Sequence, residues 1–382
     1  MKYKVNFINN SFRRYYQKRK EELNQAFVRC MENGDFVLRQ DVDEFEKKLS
    51  EYTGSRYAVA VNSGTDALKL AIEALALEGE WEDGDEIITV SHVFIAPIQE
   101  IVHARFKPVL VDVEEDTCVM DIAEVKKAIT PKTRAILPVH LSGVVVDILD
   151  LYSMLKEIGR TDIKVIEDAC QALGSIQYGR IAGNMGDIGT YSFISPKMMG
   201  GWGDNGAVVT NNKDLYEKIL LLRNHWNITQ NALLGVQLPH PEVMYWGHNT
   251  RMDNIQAAML NVKFQDIEWI IFRRKEVAER YIQGLQGLPI NLPSRKEGET
   301  WQEFIIRPKD REKFKEFMDE KGVELLIRDT TPNHKLTGYE LLDCELPITE
   351  LLAKEQARLP LYPELTDEEV DYVIESVKEF YA

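Results

Sequence analysis

Short apolar runs rich in Val and Ile alternate with stretches of helical periodicity through the first two thirds of the chain. Tyr57–Val61, Glu86–Val90, Pro108–Val113, Arg134–His140 and Ile163–Glu167 read as strands. Apolar side chains at both parities of such runs indicate strands covered on both faces, as in a mainly parallel sheet between helices. The amphipathic stretch Thr65–Leu77 follows the first run. Alternation of this kind is the α/β pattern.

Near residue 262 the character changes. The spacing predicts a long helix over 265–285, a strand over 301–307, and a helix over 310–321 stopped by Gly322. A strand over 323–327 and a closing helix over 367–380 complete the pattern. We expect a large domain over 1–262 and a smaller C-terminal α+β domain over 263–382. A Pro- and Gly-bearing segment, 332–363, links parts of the latter.

Charge narrows the function. Lysine and arginine number 46 against 62 acidic residues, a formal charge of −16. A nucleic-acid binder wants the opposite sign, so no nucleic-acid partner is expected. No run approaches the ~20 apolar residues of a membrane span, and Met1–Phe7 lacks an apolar signal core. Cys30, Cys118, Cys170 and Cys344 are scattered without a CxxC pair. They read as reduced thiols of a cytoplasmic protein. The seven histidines form no HExxH or Cys/His cluster, so no metal is expected.

Chemistry concentrates at a few places. Lys197 stands among prolines, glycines and small polar residues between two strand-like runs. A lysine so placed can serve as an amine nucleophile once its pKa is lowered; the plain alternative is an exposed loop charge. At Ser63-Gly64-Thr65 a strand runs into a helix. Gly64 permits close backbone approach, Thr65 can cap the helix, and free N–H groups there favour a phosphate; a simple N-cap and turn is the alternative. Asp168 follows a buried strand, where α/β proteins bind ligands. A carboxylate at that place can hold a pyridine nitrogen, or merely cap a helix. Gly201–Gly206 matches GxGxxG, but it leads into a strand over 207–210 and opens no helix, so a glycine-rich turn is expected instead of a dinucleotide site. Phe94 could stack on a flat ring or sit in the core. Ser192 is five residues before Lys197. The stretch 247–258 opens a helix with high polar density.

These pieces, in order and at similar spacing, resemble the sugar aminotransferases of DegT/StrS type, which are fold-type-I pyridoxal phosphate enzymes. The resemblance runs from Phe36-Val-Leu38 through Asn62–Leu68, Val139–Gly143, Glu167–Gln171 and Ser192–Lys197 to Gly247, Asn249, Arg251 and Leu359–Pro363. It implies that 1–262 is the domain that binds pyridoxal 5'-phosphate. Lys197 would form the Schiff base and Asp168 would pair with the pyridine nitrogen. Gln171 would bond the 3′ oxygen and Phe94 would stack on the ring. Gly64, Thr65 and Ser192 match phosphate-binding positions, and Asn249 matches one that reaches the phosphate from the neighbouring subunit of a homodimer with shared active sites. The implied reaction moves an amino group from an amino acid, glutamate by resemblance, to a keto sugar nucleotide. Asn249–Asp253 looks more like relatives acting at carbon 3 than at carbon 4.

Two positions depart from the family's pattern. Arg39 stands where glycine is frequent, and its bulk could reshape a substrate pocket. Asn205 also replaces a glycine, though Asn tolerates a left-handed conformation. Two other readings remain open: a lyase of the same fold type, and a non-catalytic regulator that binds a sugar nucleotide. Relatives that dehydrate sugars carry histidine at the lysine position, and Lys197 argues against that variant.

Overall fold

The apolar runs pair into one seven-stranded sheet. The computed structural model describes residues 3–226, 245–328, 330–337 and 344–382. Its main strands are β1 (Tyr57–Val61), β2 (Glu86–Val90), β3 (Lys107–Val111), β4 (Thr133–Ile136), β5 (Lys164–Asp168), β8 (Ile188–Ser192) and β9 (Gly206–Thr210). The short hairpin β6 (Ile176–Gln177) and β7 (Arg180–Ile181) lies apart from them. The sheet order is β1-β9-β8-β5-β4-β2-β3. Neighbours from β8 through β5, β4 and β2 to β3 are parallel. β9 runs antiparallel to both β1 and β8. The sheet is therefore mainly parallel, the α/β architecture of fold-type-I enzymes, with one reversed strand.

That topology gathers one set of loops. β1, β2, β4, β5 and β8 all point the same way, so the residues after Val61, Val90, Ile136, Asp168 and Ser192 emerge at one edge. β9 begins at that edge because it runs backwards. Ligand crevices of open α/β sheets form outside the carboxyl ends of the strands.

Four sequence expectations shift. The strand expected over 134–140 ends at Ile136, because Pro138 has no N–H to donate. Val139 makes only an isolated bridge to Asp168. The strand expected over 323–327 is no ladder either: Val323 bridges Val5 and Leu326 bridges Arg358, each singly. The long helix begins at Ile267 and ends at Leu285, after a separate helix, Asn254–Phe264. Three helices that the periodicity left unassigned precede the sheet: α1 (Asn9–Lys18), α2 (Lys20–Asn33) and α3 (Gln40–Thr53).

Two large apolar cores form among the described residues, beside a small cluster of Tyr15, Leu23, Ala26, Cys30, Ala258 and Val262. The larger one packs helices on both faces of the sheet and includes Phe45, Leu70, Ile88, Ile136, Ile166, Phe193 and Val209. The smaller one joins Tyr281, Phe304, Phe314, Val370 and Val377, and it takes in Val5 from the start of the chain. Its sheet is β10 (Ile290–Asn291), β11 (Phe304–Pro308) and β12 (Ala357–Leu359). The helix Ile267–Leu285 serves both cores: Ile267 and Ile270 enter the first, Val277 and Tyr281 the second. Among the described residues no helix is long and apolar enough to cross a membrane.

Candidate active site

Lys197 sits in the turn between β8 and β9, at the gathered edge. Its own N–H bonds Ile194 O and its carbonyl accepts from Gly200 N–H, both at 2.9 Å. A side chain at Gly200 would meet Ser195 O at 2.1 Å, so glycine is required for so tight a turn. Gln302 Nε2 donates to Pro196 O at 2.9 Å and Lys263 Nζ to Gly200 O at 2.5 Å. The turn is thus clamped from the β11 side and from the helix Asn254–Phe264. Burial lowers the Lys197 pKa below the usual lysine value. Cys170, Asp168 and Glu303 oppose that shift, and the Arg328 guanidinium adds to it.

Asp168 closes β5 and is 5% exposed. Its Oδ1 accepts from Cys170 N–H at 3.0 Å. Turns follow it, not a helix, so the helix-cap alternative does not hold. Strand alternation sends its neighbour Glu167 the other way. Glu167 is fully buried and accepts N–H bonds from Gly183, Met185 and Gly186. It also takes His140 Nε2 at 2.9 Å, while His140 Nδ1 accepts Val146 N–H. That pairing assigns the Nε2–H tautomer. The network pins the end of β5 and with it the position of Asp168.

Gln171 is oriented from behind: Ser142 N–H donates to its Oε1 at 3.1 Å. The amide nitrogen is then the end able to donate elsewhere.

The helix after β1, α4 (Gly64–Gly79), begins beside β8. Its cap is Ser63, whose side chain accepts from Asp66 N–H. The capping role expected of Thr65 is therefore corrected: Gly64 and Thr65 already belong to the first turn. A Cβ at Gly64 would stand 2.7 Å from Ser192 Cβ and 3.2 Å from Cys170 Sγ. A Cβ at Gly206 would meet Ser63 O at 2.3 Å. Both glycines let the helix start close against the sheet edge.

Ser63, Gly64, Thr65, Phe94, Asp168, Cys170, Gln171, Ser192, Lys197, Asp204 and Arg328 line one cavity of about 310 Å³. Seven of the eight expected residues meet there. The eighth, Asn249, does not; it is exposed and forms an isolated bridge with Asn224. Arg39 is also outside the cavity, at the residue before α3, with its Nε 3.8 Å from Asp35 Oδ1. Asn205 does not use the left-handed conformation that Asn tolerates; the positive φ of this turn is at Gly203, +137°. Asn205 is buried, and its carbonyl accepts Phe193 N–H at 2.7 Å.

Sequence reasoning missed Arg328 and Asp204. Arg328 follows the 323–327 run, and no spacing ties it to Lys197. Its Nη2 lies 2.5 Å from Glu303 Oε1, and Arg358 Nε bonds the other oxygen at 2.8 Å. Burial would raise the Glu303 pKa, but the two arginines outweigh it and hold it at about 2. Asp204 lay in the quoted glycine-rich turn, so its nearness to Lys197 was within reach.

Pyridoxal phosphate, which the resemblance implies, fits these residues. The N-terminus of a sixteen-residue helix, two hydroxyls and the close-packed Gly64 form a phosphate cradle. A lysine with a lowered pKa and an anchored carboxylate face the same space.

A family model, the DegT/DnrJ/EryC1/StrS aminotransferase family, matches residues 17–378. The chain belongs to this family, and its fold is that of an aminotransferase. The dTDP-3-amino-3,4,6-trideoxy-alpha-D-glucose transaminase of Micromonospora megalomicea subsp. nigra is 34% identical over 375 residues, covering 95% of this chain and 96% of that one. The crystal structure of S. venezuelae DesV superposes with a TM-score of 0.88 at 32% identity, covering 97% and 96% of the two chains. That of NtdA from Bacillus subtilis, with bound cofactor PMP, gives 0.85 at 30% identity, covering 95% of this chain and 82% of that one.

Proposed function

We propose that this chain is a pyridoxal-phosphate-dependent aminotransferase that moves an amino group from L-glutamate to the keto group at carbon 3 of a nucleotide-linked sugar. The observation that carries the reading is the meeting of Lys197 and Asp168 in one cavity whose far wall is the N-terminus of α4. Family membership and the 3-amino sugar named for the M. megalomicea relative support the acceptor. Residues 1–262 carry the cofactor and 263–382 form the smaller domain. The protein works in the cytoplasm.

The bound cofactor supplies an electron sink beside the carbon that loses its proton. Gly64, Thr65 and Ser192 hold its phosphate, and Phe94 lies on the ring face. Gln171 donates from its amide nitrogen to the ring's 3′ oxygen. Asp168, fixed at the end of β5, bonds the ring nitrogen and keeps its proton there. Lys197 would hold the cofactor through its Nζ and, once freed, would move the proton from the donor's Cα. An amine whose pKa burial lowers is more often unprotonated, and so better able to accept a proton, than an exposed lysine.

Asn249 of a second copy of the chain completes the phosphate site. Its exposure, and that of Trp246 beside it at 91%, support a homodimer with shared sites.

The test is single turnover. Enzyme converted to its amine form with glutamate is mixed with a panel of keto sugar nucleotides, and return of the yellow colour is followed. Recovery with a 3-keto sugar nucleotide supports the reading. Failure of glutamate to convert the cofactor would point to a lyase instead.

A further inference from the structure

Phe94 is 63% exposed within the cavity wall, so packing does not hold its ring. Its backbone must do so. Yet Phe94 lies in the loop between the end of β2 at Val90 and the helix that starts at Ala96, where no sheet ladder continues.

The smaller domain supplies the missing anchor. Asn333 is buried, and its Nδ2 donates to Ser91 O at 3.0 Å and to Val93 O at 2.7 Å. One amide thus grips two carbonyls of the loop, the second belonging to the residue just before Phe94. His334 adds a second hold. Its backbone N–H donates to Ser91 Oγ at 3.2 Å, so the Ser91 hydroxyl proton is directed to His334 Nδ1 at 2.8 Å. Nε2 then carries the ring proton and faces Glu350 Oε1 at 3.3 Å. The Ser91 hydroxyl and the His334 N–H, Nδ1 and Nε2 all have partners, and Ser91 and His334 are 2% and 4% exposed. A buried, satisfied network of this kind selects one backbone geometry.

We propose that Asn333 and His334 are positioning residues for the cofactor: through Ser91 and Val93 they set the height and tilt of the Phe94 ring. The proposal rests on reading Phe94 as the ring that lies on the cofactor. It adds that the small domain, whose hydrogen bonds to that loop's carbonyls at Ser91 and Val93 come from Asn333 among the described residues, tunes the stack from outside the cavity.

The test is a double-mutant cycle read in apoprotein titrated with pyridoxal phosphate. The readouts are the dissociation constant and the circular dichroism of the bound cofactor in the visible. Phe94→Ala weakens binding and changes the visible dichroism; no effect would overturn the stacking reading itself. Asn333→Ala, in an otherwise unchanged chain, weakens binding on the order of tenfold, as the loss of two hydrogen bonds implies. It also shifts the dichroism in the same direction. Added to Phe94→Ala, it has no further effect, because there is no ring left to position. An Asn333→Ala effect that persists undiminished in the Phe94→Ala background would overturn the proposal, as would the absence of any effect alone. Should Asn333→Ala fail to fold, Ser91→Ala decides by the same cycle. It removes only the hydroxyl that joins the loop to His334.

Discussion

Gly64 and Ser192 pack against each other in the cavity wall: a Cβ on Gly64 would stand 2.7 Å from the Ser192 Cβ. A helix start and a strand end are thereby brought into contact, and the phosphate cradle exists only because residue 64 has no side chain. Gly64→Ala should lose affinity for pyridoxal phosphate and cost about 1–3 kcal/mol of stability from overpacking. Thermal melts with and without cofactor check both parts. Unchanged affinity would place the phosphate elsewhere.

Asp168→Asn keeps the shape of the site and removes the charge. The variant should still bind cofactor and turn yellow, while turnover drops by about 10²-fold or more, as when one preorganised charged partner is lost. An amide cannot keep a proton on the ring nitrogen. Steady-state kinetics beside absorbance spectra separate the two effects. Turnover near that of the unaltered chain would reduce Asp168 to a turn-forming residue.

The direction of the Lys197 shift sets a pH dependence. A buried lysine whose pKa is lowered from 10.5 sheds its proton earlier in the folded chain than in the unfolded one. Below the folded value the charged amine is held at a cost that the unfolded chain does not bear. As pH rises from the folded value toward 10.5, the folded state binds fewer protons and gains stability. The attachment rate of cofactor to apoprotein should rise with pH over a midpoint below 10.5. Arg328 is among the causes that lower the value, so Arg328→Gln should move that midpoint upward. A midpoint that stays in place would remove Arg328 from the electrostatics of the amine.

Shared sites can be tested by mixing. Lys197→Ala chains and Asn249→Ala chains are combined under conditions that exchange subunits. In a mixed dimer one site bears both defects and the other neither. Activity should exceed the average of the two parents, given that Asn249→Ala alone is crippled. No gain after exchange is verified by mass spectrometry would confine Asn249 to its own chain.

Much of this was legible in the sequence, for identifiable reasons. β1 and β2 match their apolar runs to the residue because both faces are buried, and Val or Ile recurs without a polar face to blur the ends. The Lys197 turn was legible because its glycines are forced by close contacts, as at Gly200. Arg328 and Asn333 were not. They reach the site from the far end of the chain, and only the docking of the smaller domain brings them near Lys197 and Phe94. The 323–327 run also misled, since Val and Leu there fill the second core through single bridges instead of a ladder. Thr65 was credited with a cap that Ser63 makes, because the helix begins one residue earlier than its apolar stripe.

The account stands or falls on the covalent role of Lys197. Purified protein is saturated with pyridoxal phosphate, reduced with borohydride, digested and mapped by mass spectrometry. The account predicts one major pyridoxyl-bearing peptide, with the label on Lys197, and a Lys197→Ala protein that is neither labelled nor active. Stoichiometric label on any other lysine, with Lys197 unmodified, would contradict it.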